Sequence, residues 1–341
     1  MTKKLNIGQL LFLLFSFFIM WEIFAGNFYN DDYYYYESEF DAGDLDRLEE
    51  LNIEPLYTYL IYYSKQIFNF KDYVDYKAFI AFFFMIPYWY TIAKWSEKPS
   101  WTALVFAPIF LLQIIIVRNF MAFAIMSLAI PLLANKKHKK KSMIIFGLML
   151  LIAEGFHNMM FVYLLCYLSL LDWKLFKQPV KYFCLCAVVG LLLGGFLFTL
   201  FINSSAKYTD GDGYNTLRMV FGLALVVNYY VLNYIKKHTY DSKNNTIAEF
   251  EDYILKLNLI FIGLTVVFVV SIVAARLYIN LLLFNIIFVI NRLSRKGKRG
   301  SVVPISLGYM AFWIYYVVVV TISVQLEEIF IYNSFIIRLL T

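Results

Sequence analysis

Apolar runs broken by short charged segments recur along the whole chain, and they decide most of what it can fold into. They lie at about residues 7–25, 78–93, 101–117, 120–134, 142–156, 159–171, 182–201, 217–235, 257–275, 277–291 and 302–324. A helix needs about 20 apolar residues to cross the hydrocarbon core of a bilayer. In lipid every backbone polar group must be satisfied inside the protein, which leaves helices or closed barrels. Continuous runs, rather than short alternating strands, exclude a barrel. The composition agrees: 61% of residues are hydrophobic and only 16% are charged, which is not that of a soluble domain. The chain therefore reads as an all-α polytopic membrane protein with about 11 transmembrane helices. It shows no internal repeat, so 1–341 reads as a single transmembrane domain.

Basic residues orient the spans, because Lys and Arg gather on the cytoplasmic side. Lys3 and Lys4 place the N-terminus in the cytoplasm, and the first run reads as a retained span rather than a cleaved signal. Lys136-Lys-His-Lys-Lys-Lys141 is the strongest inside marker, joined by Lys236-Lys237 and the cluster at 292–299. The resulting topology puts roughly two thirds of the Lys and Arg inside and a similar share of the Asp and Glu outside. The net charge of +6 comes from these clusters; it is no nucleic-acid signature, and no nucleic-acid partner is expected. The Lys runs also suit contact with the anionic lipid of the bilayer.

Three segments fall on the outer face: a long acidic loop at 27–77, a shorter loop at 203–216 and a tail at 325–341. The first opens Asn27-Phe-Tyr-Asn-Asp31-Asp32-Tyr33-Tyr34-Tyr35-Tyr36 and carries ten further acidic residues against four basic ones. Tyrosine rings can stack on sugar faces, and carboxylates can bind hydroxyls or take protons. Glu54-Pro55 reads as a helix start, with Leu56, Leu60, Tyr63 and Ile67 following at helical spacing. This predicts an amphipathic helix on the membrane surface.

The same topology gathers unusual polar residues at the outer ends of the spans: Asp31, Asp32, Arg118, His157, Lys207, Tyr208, Arg218 and Arg276. Arg118-Asn119 and His157-Asn158 mark tight turns. Charges set against apolar sequence are costly unless paired or used, and clustered arginines suit a phosphate or diphosphate. Glu154 and His157, three apart, are expected to share a helix face. No second Glu-x-x-His accompanies them, so no metal site is assigned. No cofactor is called for, although a divalent metal is compatible with the site. Phosphate loops of the Walker type, Gly-x-Ser-x-Gly elbows and His-Glu-x-x-His are absent. Cys166, Cys184 and Cys186 all sit in apolar runs and read as packing residues.

The order of features resembles the EpsG family of bacterial polysaccharide polymerases, a Wzy-type group. The features are the Asp- and Tyr-bearing loop, Glu54-Pro55 with its helix, Arg118-Asn119-x-x-Ala122-x-Ala124, the Lys run, Ala153-Glu-Gly-Phe156-His157, and Arg276-Leu-Tyr278. The family usually has Arg-Gln where this chain has Arg118-Asn119, and often Ser where it has Met159. The resemblance implies a polymerase of capsule or exopolysaccharide at the outer face of the plasma membrane. Its donor and acceptor would be oligosaccharide repeat units on undecaprenyl pyrophosphate, with a flippase and a chain-length regulator as partners. It also implies a GT-C-like architecture, in which an early acidic residue of the first outer loop serves as base or metal ligand. Asp31 or Asp32 holds that place, with His157 as its catalytic companion. Arg118, Arg276, Arg218, Lys207, Tyr208 and Glu154 are the candidates for binding diphosphate and glycan. Two other readings stay open: a flippase of lipid-linked oligosaccharides, and an O-antigen-ligase-like transferase.

Overall fold

The computed structural model describes residues 5–30, 32–46, 53–171, 176, 178–186, 188, 213–263, 272–295, 302–321, 329–330, 333–334 and 336–337. Among these, every regular element is helical, and the isolated bridge Asn27–Asn333 is the only β pairing. Three helical stretches are long and apolar enough to cross a membrane: Ile7–Gly26, Val117–Ala134 and Val302–Val319. Pro99–Phe110, Asn158–Leu170 and Tyr278–Ser294 are shorter apolar helices. The chain is an all-α membrane protein. Two compact units divide it. One comprises Met1–Leu132, Lys140–Phe161 and Met310–Thr341, and the other Leu133–Lys139 and Val162–Tyr309.

The first unit starts with α1 (Ile7–Gly26), opened by a capping box in which Asn6 Oδ1 accepts from Gln9 N at 2.7 Å and Gln9 Oε1 accepts from Asn6 N. Ile7, Leu11 and Phe15 stay exposed, as suits a helix solvated by lipid. The loop that follows is folded rather than loose. It holds α2 (Tyr33–Ala42) and α3 (Pro55–Phe68) before α4 (Tyr73–Trp95). Gly43 ends α2 with φ of 57°, where a side chain would be strained. Pro55 opens α3 at a position whose N–H would have no helical partner anyway. Phe40 stacks on Tyr76 with centroids 5.2 Å apart, and Tyr33 meets Tyr73 edge-on at the same distance, so α2 lies on α4. Such pairs add about 0.5–1.5 kcal/mol each beyond burial. The Lys77 ammonium, buried, donates to the Asn27 carbonyl at 2.7 Å and clamps the end of α1 to α4.

The chain then runs through α5 (Pro99–Phe110), the single turn α6 (Leu112–Ile115) and α7 (Val117–Ala129), which continues as a 3-10 turn, Ile130–Ala134. Pro108 takes one N–H out of the α5 ladder, and Ile116 at φ −100°, ψ 63° interrupts the chain again before Arg118. Next to α4, α7 buries Ala122 and Ala124 completely. Small side chains of this kind permit close helix approach in a membrane. Tyr88 OH and Thr91 Oγ1 of α4 donate to the Phe120 and Ser127 carbonyls, both at 3.0 Å. Then α8 (Lys139–Glu154) runs into Gly155-Phe156-His157 and the 3-10 helix Asn158–Leu170.

The second unit is built on α9 (Gly213–Lys237), α10 (Asn245–Ile262) and α11 (Ile272–Ser294). Beyond it, α12 (Val302–Tyr315) passes into a π turn, Tyr316–Thr321. Two findings here revise what the hydropathy suggests. The runs are not free of polar groups: Asn228 donates to Asn258 at 2.6 Å, Asn258 donates to Asn285 at 2.7 Å, and Tyr278 OH donates to Asn258 Oδ1 at 2.8 Å. Tyr309 OH donates to Asn228 Oδ1 at 2.6 Å, completing a buried, mutually bonded network. Arg292 is likewise more than an orientation signal. It is fully buried, 2.7 Å from Glu251 and 2.9 Å from Asp241, while Arg295 grips Glu251 from the other side.

α3 also departs from the expected stripe. Its buried face is Tyr57, Thr58, Ile61 and Ser64, whereas Tyr63 and Ile67 are exposed. The tyrosines of α2 and the bond from Lys65 Nζ to the Phe40 carbonyl at 2.8 Å select that face. The apolar stripe turns away from the protein, as an interfacial helix allows.

Candidate functional site

Three segments distant in sequence meet around one carboxylate in the first unit. Glu54, the residue before Pro55, reaches Arg118 Nη1 with Oε2 at 2.7 Å and His157 Nδ1 with Oε1 at 3.1 Å. Its Oε1 also accepts from the Asn158 backbone N–H at 3.3 Å. Gly155 makes this possible. Its carbonyl accepts from Leu56 N at 2.8 Å, satisfying an opening N–H of α3, and a Cβ there would lie 2.6 Å from Leu56. Only glycine lets the two chains come that close, and their contact sets Glu54 beside His157.

Arg118 lies in the first turn of α7. It faces a second carboxylate, Glu39 of α2, at 3.8 Å. Its Cζ is 5.7 Å from the ring centroids of Tyr35 and Tyr36 and 5.9 Å from that of Tyr57, within cation–π reach. Arg118 and His157 keep 21% and 23% of their side-chain surface open, so a ligand can reach both.

The two carboxylates differ sharply. Burial pushes Glu54 up, but the His157 hydrogen bond and the Arg118 charge outweigh it and hold its pKa down at about 2. Burial dominates at Glu39: against the pull of Arg118 and Tyr35, and with Glu54 and Asp32 adding repulsion, its pKa rises to about 7. Apart from the Tyr35 hydroxyl, no hydrogen-bond donor serves either oxygen of Glu39, and the hydroxyls of Tyr57, Thr58, Tyr73 and Tyr76 have no partners. A buried polar group left so costs roughly 1–3 kcal/mol.

Of the residues singled out from the sequence, Arg118 and His157 come together here. Asp32 heads α2 with intermediate exposure, and Asp31 lies outside the described residues. Glu154 ends α8, and His157 falls beyond that end, so the two do not share a helix face as expected; the imidazole turns to Glu54 instead. Arg218 and Arg276 sit on α9 and α11 with side chains outside the description, and Lys207 and Tyr208 lie outside the described residues. Among the described residues no group of three or more His, Cys, Asp or Glu is placed to hold a metal ion.

Sequence reasoning missed Glu54 and Glu39 as site residues. Glu54 was legible only as a helix start. Glu39 carried a local signal, since it shares the inward face of α2 with Tyr36 and Phe40.

The model of the EpsG family matches residues 10–334, a span that includes the whole of this cluster. The chain belongs to the EpsG family. Membership in the EpsG family points to polysaccharide biosynthesis. No curated protein and no solved structure matches this EpsG-family chain.

Proposed function

We propose that this EpsG-family protein is a polysaccharide polymerase, a membrane glycosyltransferase that joins undecaprenyl-pyrophosphate-linked repeat units for capsule or exopolysaccharide. The observation that carries this reading is the meeting of Arg118 and His157, both part-exposed, beside a tyrosine-walled carboxylate. A guanidinium and an imidazole placed together suit a diphosphate leaving group, and tyrosine faces suit sugars. In the reaction an acceptor hydroxyl attacks the anomeric carbon of the donor. A new C–O bond forms, the bond from that carbon to the diphosphate oxygen breaks, and the electron pair leaves with the lipid diphosphate. Arg118 and His157 meet the charge that develops there. An acidic residue of the loop takes the hydroxyl proton, with Asp31 and Asp32 the candidates by position. Arg276, Arg218, Lys207, Tyr208 and Glu154 add contacts to diphosphate and glycan. The reading has about eleven spans, a GT-C-like architecture, a cytoplasmic N-terminus and chemistry on the outer face of the plasma membrane. A flippase and a chain-length regulator are the partners it calls for.

The asparagine network of the second unit favours a second reading, a flippase with a polar path between helices. Its side chains bond chiefly to one another, however, which suits helix cohesion better than passage. Replacing Arg118 with Ala in the native host separates the two. A polymerase defect leaves single lipid-linked repeat units on the outer leaflet with polymer lost. A transport defect leaves them on the inner leaflet.

A further inference from the structure

Six of the ten buried side-chain polar atoms left short of hydrogen-bond partners, among the described residues, belong to one neighbourhood. They are both oxygens of Glu39, which only the Tyr35 hydroxyl serves, and the hydroxyls of Tyr57, Thr58, Tyr73 and Tyr76. Glu39 is 2% exposed, on the face of α2 whose Tyr36 and Phe40 pack against Tyr57, Tyr73 and Tyr76. Of the two carboxylates that flank Arg118, Glu54 is spent on Arg118, His157 and the Asn158 N–H. Glu39 is not. A buried carboxylate on a tyrosine-packed face, set 3.8 Å from the cation of the site and without the close ion pair that holds Glu54, is placed to change its protonation.

We propose that Glu39, rather than Asp31 or Asp32, accepts the proton of the attacking sugar hydroxyl. The inference rests on the polymerase reading and names a residue within it. Tyr35 provides the path. It lies four residues before Glu39 on α2, is 45% exposed, and interacts with both Glu39 and Arg118. As the acceptor oxygen bonds to the anomeric carbon, its proton passes to the Tyr35 oxygen and the Tyr35 proton passes to Glu39. The diphosphate leaves with the electron pair of the broken C–O bond. Protonation removes one of the two negative charges beside Arg118, which strengthens the pull of that guanidinium on the diphosphate at the moment its charge develops. The groups that set the proton affinity of Glu39 are Arg118 of α7, Glu54 at the start of α3, Tyr57, Tyr73, Tyr76, and Asp32 and Tyr35 of its own segment. Burial, only partly offset by Arg118 and Tyr35, holds Glu39 at about 7, where a carboxylate is both available and basic.

The test uses full-length protein in liposomes supplied with lipid-diphosphate-linked repeat units from the native host, with elongation followed against pH. Wild-type elongation is expected to rise with pH through a midpoint near 7. Glu39→Gln should lower it by about 100-fold or more above that midpoint and abolish the rise with pH, while the protein stays folded. Glu39→Asp should keep measurable turnover with a displaced midpoint, a readout that a packing role would not move. Elongation by Glu39→Gln within about threefold of wild type, with Arg118→Ala inactive, overturns the role of Glu39 and leaves the polymerase reading standing. If Glu39→Gln does not fold, an unmoved midpoint in Glu39→Asp overturns it equally. No elongation by the wild type overturns the polymerase reading and this inference with it.

Discussion

Glu54 and His157 stand 103 residues apart in sequence, yet Oε1 of one lies 3.1 Å from Nδ1 of the other. The contact closes a ring of three chain segments, because the second oxygen of Glu54 holds Arg118 at 2.7 Å. A guanidinium and an imidazole are therefore kept side by side by one carboxylate. A ligand with two negative groups can address both.

Removing that carboxylate should loosen the site before it unfolds the protein. Glu54→Ala takes from Arg118 and His157 the carboxylate they share and leaves Arg118 only the more distant Glu39, at a cost of roughly 1–3 kcal/mol given their partial exposure. A lowered thermal midpoint in detergent, with membrane abundance mostly retained, is the expected result. Loss of polymer should exceed the loss of protein.

Acid should act through the same residue. The pKa of Glu54 is held at about 2, below its ordinary 4.5, so its contribution is present above about 4.5 and lost as pH falls toward 2. Glu39 has the opposite sign. Raised to about 7, it contributes fully below about 4.5 and ceases to as pH rises through 7. Unfolding midpoints measured against pH should fall on both sides of a mildly acidic optimum. Glu54→Gln should flatten the acid limb and Glu39→Gln the neutral-to-alkaline one.

Gly155 tests how the site is assembled. A Cβ would meet Leu56 at 2.6 Å, so Gly155→Ala must push the start of α3 away and Glu54 with it. The expected cost is about 1–3 kcal/mol. Trimming the obstacle in a Gly155→Ala, Leu56→Ala double variant should restore part of the lost polymer, read as chain length on a gel.

In the second unit, ion pairs of different burial should behave differently. Glu251 lies between Arg292 and Arg295 and is wholly buried; Glu251→Ala removes the buried carboxylate they share, leaving Arg292 to Asp241, and should cost about 3–5 kcal/mol. Asp252, half exposed and paired with Lys236, should cost about 0–1 kcal/mol on the same change. Abundance in the membrane and the thermal midpoint would report the contrast.

Much of the scaffold was legible because local sequence encodes it. The first span, the start of α3 at Pro55 and the breaks beside Arg118 and His157 each follow from neighbouring residues. The face that α3 buries was not legible. Where lipid solvates apolar side chains, hydrophobicity no longer tells the protein-facing side from the outer one, and Tyr63 and Ile67 point away while Ser64 is buried. The Glu54 contacts were hidden for another reason: they join α3 to segments 64 and 103 residues on, and no periodicity spans such distances. That Glu39 is buried while Asp32 keeps intermediate exposure is not something the composition of an acidic stretch reveals.

Whether this protein forms glycosidic bonds at all is tested most directly with the purified protein in liposomes, given lipid-diphosphate-linked repeat units and nothing else. Chain length and released lipid diphosphate would be followed together. The account predicts a ladder of products, each added unit matched by one released lipid diphosphate, and no ladder with Arg118→Ala. Units that cross the bilayer unchanged, with no diphosphate released by the wild type, would contradict it.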